Sequence, residues 1–114
     1  MKELFVRLGL EPVNFGAASL GWIETSGESL ASINPTTGDV LAHIKLASRA
    51  DYAQVVSRTR EVFERWKMVP APARGEIVRE VGEALRAHKT DLARLMTLEV
   101  GKIRAESEGE VQEA

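Results

Sequence analysis

The residues of this 114-residue chain that could do chemistry are few, and their spacing limits them further. Glu106, Glu108, Glu110 and Glu113 crowd its end. Paired carboxylates run acid–base reactions when a pocket separates their pKa values. Nothing in the adjoining sequence supplies one, so the run reads as a solvated face. His43 and His88 stand alone, with no H-x-x-x-H pair and no His/Cys cluster at metal spacing, and read as surface or hydrogen-bonded side chains. Lys102 has no glycine loop before it and reads as a helix-terminal cation rather than a phosphate ligand. The chain has no cysteine, which removes a thiolate nucleophile, a thiolate metal site and any disulfide. No G-x-G-x-x-G or comparable phosphate-cradling loop is present. Trp22, Phe63 and Trp66 read as core or interface anchors rather than stacking platforms. The sequence therefore assigns no catalytic, cofactor-binding or metal-binding residue.

The elements that would position these residues run from extended structure to helices. Lys2 to Leu10 predicts a short helix with Leu4, Phe5 and Leu8 on one side, closed by Pro12. Residues 14 to 27, with Gly16, Gly21 and Gly27, predict a loop with a strand at Trp22 to Thr25. Glu28 to Asn34 and Val40 to Leu46 predict a β-hairpin around Asn34-Pro35-Thr36-Thr37-Gly38-Asp39, where Pro35 presets φ and Gly38 can take a positive φ. Ser48 and Asp51 form a capping box ahead of a helix whose stripe is Tyr52, Val55, Val56, Thr59, Val62, Phe63 and Trp66. That helix should stop by Val69. Pro70-Ala71-Pro72 starts the next one, with Ile77, Val78, Val81, Ala84 and Leu85 as its stripe. A break is expected at His88 to Thr90, then a helix ending at Gly101, then a last acidic helix from Lys102 to Ala114. No cap follows Ala114, so the pattern reads as cut within that helix. The segments are a short helix and loop (1–27), a hairpin (28–47) and a helical part (48–114).

Composition bounds the class. The chain is 44% hydrophobic and 28% charged, as a soluble globular protein is. A net charge of -2 gives no reason to expect nucleic acid or an anionic membrane as partner. No run of eighteen apolar residues suggests a membrane span. The N-terminus lacks the pattern of a signal peptide, which makes the cytoplasm the expected compartment.

In order along the chain, several short motifs together resemble the N-terminal part of the NAD(P)-dependent aldehyde dehydrogenase superfamily. Ser32-Ile33-Asn34-Pro35-Thr36-Thr37-Gly38-Asp39 is similar to the family's early NP.TG hairpin. Ala50 through Trp66 is similar to its first long helix, and Ala73-Arg74-Gly75-Glu76-Ile77-Val78 to the helix that follows. Leu98-Glu99-Val100-Gly101-Lys102 is similar to its LE.GK signature, and Gly109-Glu110-Val111 to the next helix. The stretches Pro70 to Arg79 and Gly109 to Glu113, with Arg7 to Leu10, resemble the antiquitin branch, which oxidises α-aminoadipate semialdehyde in lysine catabolism.

The resemblance implies a mixed α/β fold. It would be the first part of the cofactor domain, an incomplete Rossmann-like fold with a β-hairpin followed by three to four amphipathic helices. It implies NAD(P) for the full-length family enzyme, none bound by these residues alone, and catalysis by a cysteine, a glutamate and cofactor loops beyond the region covered. The stretch itself is therefore expected to be inactive. It also implies that Glu113 lines the mouth of the substrate tunnel, where its charge would favour an amino-semialdehyde. Two readings follow: the N-terminal fragment of an aldehyde dehydrogenase, or a stand-alone helical interaction module derived from the family. The first expects apolar faces that await the remaining domains or self-associate. The second expects a monodisperse, cooperatively melting protein.

Overall fold

Three strands and four helices are formed in the computed structural model, which describes residues 1–114. The fold is mixed α/β, as the resemblance implied. Helix α1 spans Lys2–Arg7 and buries Leu4. It ends earlier than expected, and Gly9 rather than Pro12 ends it. Gly9 takes φ +65°, and the N–H groups of Gly9 and Leu10 donate to the carbonyls of Val6 and Phe5. This pair of bonds closes a helix through a left-handed residue.

Strands β1 (Val13–Phe15), β2 (Ser29–Ile33) and β3 (Val40–Lys45) form one sheet in the order β1-β3-β2. The expected hairpin is β2 and β3, antiparallel, with Leu30 opposite Ile44 and a register shift at Ser32/Ile33. Its turn is closed by Asn34, whose N–H donates to the Asp39 carbonyl at 2.9 Å and whose carbonyl accepts from Gly38 at 2.8 Å. Gly38 takes φ +77°. Strand β1 was not legible: it runs parallel to β3, with Val13 opposite His43, and three residues are too few to show a period. The strand expected at Trp22 to Thr25 does not form. Trp22 makes one bridge to Ala18, while Thr25 is fully buried and its hydroxyl donates to the Lys45 carbonyl.

Helix α2 spans Arg49–Trp66 behind the Ser48 capping box. Its expected stripe is not buried by this chain. No residue of α2 is buried, and Tyr52, Val56, Val62 and Phe63 are exposed. Helix α3 spans Ala71–Val100, with Pro70 as N-cap and Gly101 as left-handed C-cap at φ +80°. The expected break at His88 to Thr90 is absent. Without glycine or proline there, Thr90 gives up no backbone bond by remaining helical, and its weak preference against helix is overridden. Thirty residues at 1.5 Å each give about 45 Å, nearly the 49 Å long axis of the molecule. Helix α4 (Arg104–Glu113) packs back on the end of α3. Fully buried Ala93 and Ser107 allow a close approach, and the Thr97 and Ser107 hydroxyls are 3.1 Å apart.

Only four residues are buried: Leu4, Thr25, Ala93 and Ser107. The accessible surface is 8425 Å², where a compact monomer of this mass exposes about 6,200 Å². The radius of gyration is 16.6 Å, against about 13 Å for a compact domain of this length. No helix is long and apolar enough to cross a membrane.

Two glycines give contrasting stability tests. A Cβ on Gly27 would meet the Leu46 carbonyl, whereas one on Gly109, inside α4, meets nothing. Gly27→Ala should lower stability by about 1–3 kcal/mol in urea denaturation, because backbone must shift. Gly109→Ala should raise it by about 0.5–1 kcal/mol.

Candidate functional site

Side chains from different elements meet at three joints. At the first, one oxygen of Asp51 accepts from the N–H and hydroxyl of Ser48, both at 2.8 Å. It also accepts from the N–H and hydroxyl of Ser26, at 2.8 and 3.0 Å. The capping box was legible from Ser48 and Asp51, whereas Ser26, distant in sequence, was not. These bonds, the Ser26 N–H foremost and then those from Ser48, hold the Asp51 carboxyl well below the ordinary carboxylate pKa. At the second joint Arg7 donates from Nε and Nη2 to the two oxygens of Asp91, at 2.7 and 2.8 Å. Asp91 is lowered by that hydrogen bond, and Arg7 is raised by it.

At the third joint the hairpin meets the end of α3. The Ser32 hydroxyl donates to Glu99 Oε1 at 2.7 Å. The Pro35 ring comes within 3.0 Å of where a Cβ on Gly101 would stand. The NP.TG-like turn and the LE.GK-like stretch, 60 or more residues apart in sequence, are therefore one place in space.

Each joint ties a carboxylate to donors of another element: hydroxyl and backbone N–H groups at Asp51, a guanidinium at Asp91 and one hydroxyl at Glu99. No group of three or more His, Asp or Glu side chains stands together as a metal site would require. His43 is exposed on β3. His88 is exposed on α3, on the rim of an open, mainly apolar cleft of about 590 Å³ that Arg7, Leu8, Val81, Leu85 and Leu92 also line. Lys102 pairs with Glu110. Glu108 takes Arg104 at 2.9 Å. Glu113 is exposed on the last turn of α4 with no ion pair. Trp22 and Phe63 are exposed rather than core, and Lys67 lies 5.8 Å over the Phe63 ring.

At the β3–α2 junction the helix N-terminus, which an α/β fold can offer to an anion, is taken up by the chain's own capping box. The Asp51 N–H donates to the Ser48 hydroxyl, and the Asp51 carboxylate covers the helix end with negative charge. No positive-φ glycine lies at that junction.

The description "Aldehyde dehydrogenase family" matches residues 22–114. The chain belongs to that family. It is 44% identical over 106 residues to aldehyde dehydrogenase family 7 member A1 of Pisum sativum, covering 93% of this chain and 21% of the relative. It is 42% identical over 106 residues to the α-aminoadipic semialdehyde dehydrogenase of Bos taurus, covering 93% and 20%. Among solved structures, 3,6-anhydro-L-galactose dehydrogenase superposes with a TM-score of 0.82 at 29% identity, over 88% of this chain and 21% of that one. The chain spans about a fifth of the length of the aldehyde dehydrogenases it matches. The likeness to family 7 agrees with the antiquitin-like residues.

Acid should act first on the joints. Asp51 and Asp91 have depressed folded pKa values. Their contributions are complete above the unfolded value of about 3.9 and are lost as pH falls toward the folded values. In thermal melts followed by circular dichroism, Asp51→Asn should melt below the wild-type chain at pH 6. The gap should close as the pH approaches about 2.

Proposed function

We propose that the chain is the N-terminal segment of the cofactor domain of an aldehyde dehydrogenase that oxidises an amino-semialdehyde to its carboxylate with NAD(P). The observation that carries this reading is uncovered surface. The exposed area exceeds that of a compact monomer of this mass by roughly 2,000 Å², the scale of an obligate interface. Exposed large apolar side chains contribute to it, among them Tyr52, Val56 and Phe63 on α2 and Ile77, Val78 and Val81 on α3. A stand-alone module would have to leave that surface in water. Membership of the aldehyde dehydrogenase family over residues 22–114 supports the remaining domains of such an enzyme as the cover. In their absence the same faces would self-associate.

The chain's role is then scaffolding. The nucleophile, the base and the coenzyme loops belong to the remaining domains, and the carboxylate at the α2 N-terminus keeps a pyrophosphate from that junction. In this reading Glu113 is the residue that faces the substrate. With Glu108 and Glu110 already paired, it keeps a free carboxylate for a substrate ammonium. The name of the bovine relative supports the α-aminoadipate semialdehyde class, and a cytoplasmic enzyme of lysine catabolism is the setting that this proposal gives it.

Co-expression with the pea relative, deleted for the 106 residues that this chain matches, tests the reading. NAD reduction with α-aminoadipate semialdehyde should require both pieces, and each alone should be inactive. In the restored enzyme Glu113→Gln should raise KM for the amino-semialdehyde on the order of tenfold and leave a plain aliphatic aldehyde unaffected. Activity of the 114-residue chain alone, or no activity from the pair, would count against the scaffold role.

A further inference from the structure

The side chain of Arg74 carries a buried Nε with no hydrogen-bond partner, the only such side-chain atom in the chain. A desolvated cationic donor left unpaired is costly. Even half-exposed arginines of this chain carry carboxylate partners: Arg7 takes Asp91, Arg79 takes Glu76 and Glu83, and Arg104 takes Glu108. Arg74 closes the first turn of α3, where the helix dipole repels a cation and no acidic residue offsets it. Its place on the helix is also unusual. At i+3, i+4 and i+7 from it stand Ile77, Val78 and Val81, which are 45%, 67% and 57% exposed. The ion-paired Glu76, Arg79 and Glu83 lie off that stripe. Arg74 is thus an unpaired, partly desolvated cation at the head of a bare apolar stripe.

We propose that Arg74 is an interface cation that takes a carboxylate from the surface covering the α3 stripe. The occupant is the remainder of an aldehyde dehydrogenase fold, so the proposal rests on the scaffold reading above. The chemistry asked of it is specific: an Asp or Glu side chain flanked by apolar residues. The outer Nη groups of the guanidinium, which are not buried, can bind such a group through two parallel N–H bonds, and a full opposite charge beside the cation offsets both its desolvation and the unfavourable dipole.

Two measurements test it. In the isolated 114-residue chain, Arg74→Leu should leave the thermal midpoint unchanged or raise it, while Arg7→Leu lowers it. A fall with Arg74→Leu as large as that with Arg7→Leu would place its partner inside the chain and overturn the proposal. The second measurement is the affinity of the chain for the deleted pea relative. Wild type and Arg79→Leu should bind alike. Arg74→Leu should bind on the order of 30-fold more weakly, with Arg74→Lys between them and Arg74→Glu weaker still. Arg74→Leu binding as tightly as wild type would overturn the proposal and leave the scaffold reading standing. Arg74→Glu binding as well as Arg74→Leu would overturn it too, because the acceptor would not be an anion. Failure of the wild-type chain to bind would remove both.

Discussion

Tertiary hydrogen bonding to α3 begins at Lys89. From there the helix meets the rest of the chain in close succession: Lys89 with Gln112, Asp91 with Arg7, Ala93 at the α4 crossing, Thr97 with Ser107, and Glu99 with Ser32. Gly101 then meets Pro35. The turns before Lys89 make side-chain hydrogen bonds only within the helix, through Arg79. One unbroken rod thus gathers α1, the hairpin and α4 at its C-terminal end and leaves its N-terminal half and α2 outside. The arrangement depends on α3 staying helical through Thr90, since a break there would uncouple the attached end from the rest.

The burial figures follow from that geometry. A sheet of three short strands can bury little on a helix end, and α2 is tied to the strands chiefly through its N-cap, where Asp51 joins Ser26 and Ser48. An 18-residue helix with no buried residue must rely on capping, propensity and pairs such as Lys67 with Glu64. Exposed pairs of that kind contribute only tenths of a kcal/mol. Helical stability in proteins comes mainly from packing an amphipathic face. The Tyr52–Phe63 stripe is therefore an amphipathic face that these residues leave unpacked.

What was legible in the sequence divides by range. Local chemistry reads directly: the Ser48–Asp51 box, Pro70 at the start of α3, Gly101 at its end, and the Asn34–Asp39 turn. Each is fixed by neighbours within a few residues. Gly9 is also local, but Pro12 offered a louder stop signal and masked it. The Arg7–Asp91 pair spans 84 residues and strand β1 finds its partner about 30 residues away, so neither leaves a periodic trace. The spacing on α2 and α3 predicts buried stripes and the structure leaves them exposed, because periodicity tells only that a face wants cover, not whether the same chain provides it. Arg74 had a faint sequence signal, a basic residue in a first turn and on an apolar stripe. It becomes informative only once its Nε is seen to lack a partner.

Family likeness and family chemistry separate for a physical reason. The stretches that carry the likeness are used here to hold elements together. Ser32 and Pro35 of one motif seat against Glu99 and Gly101 of the other. Gly101 must supply both a left-handed cap and room for a proline ring, and any larger residue would have to displace that ring or strain the backbone. Such a joint constrains residue type by shape alone, so a family motif can record how two elements fit together as well as the chemistry of a reaction.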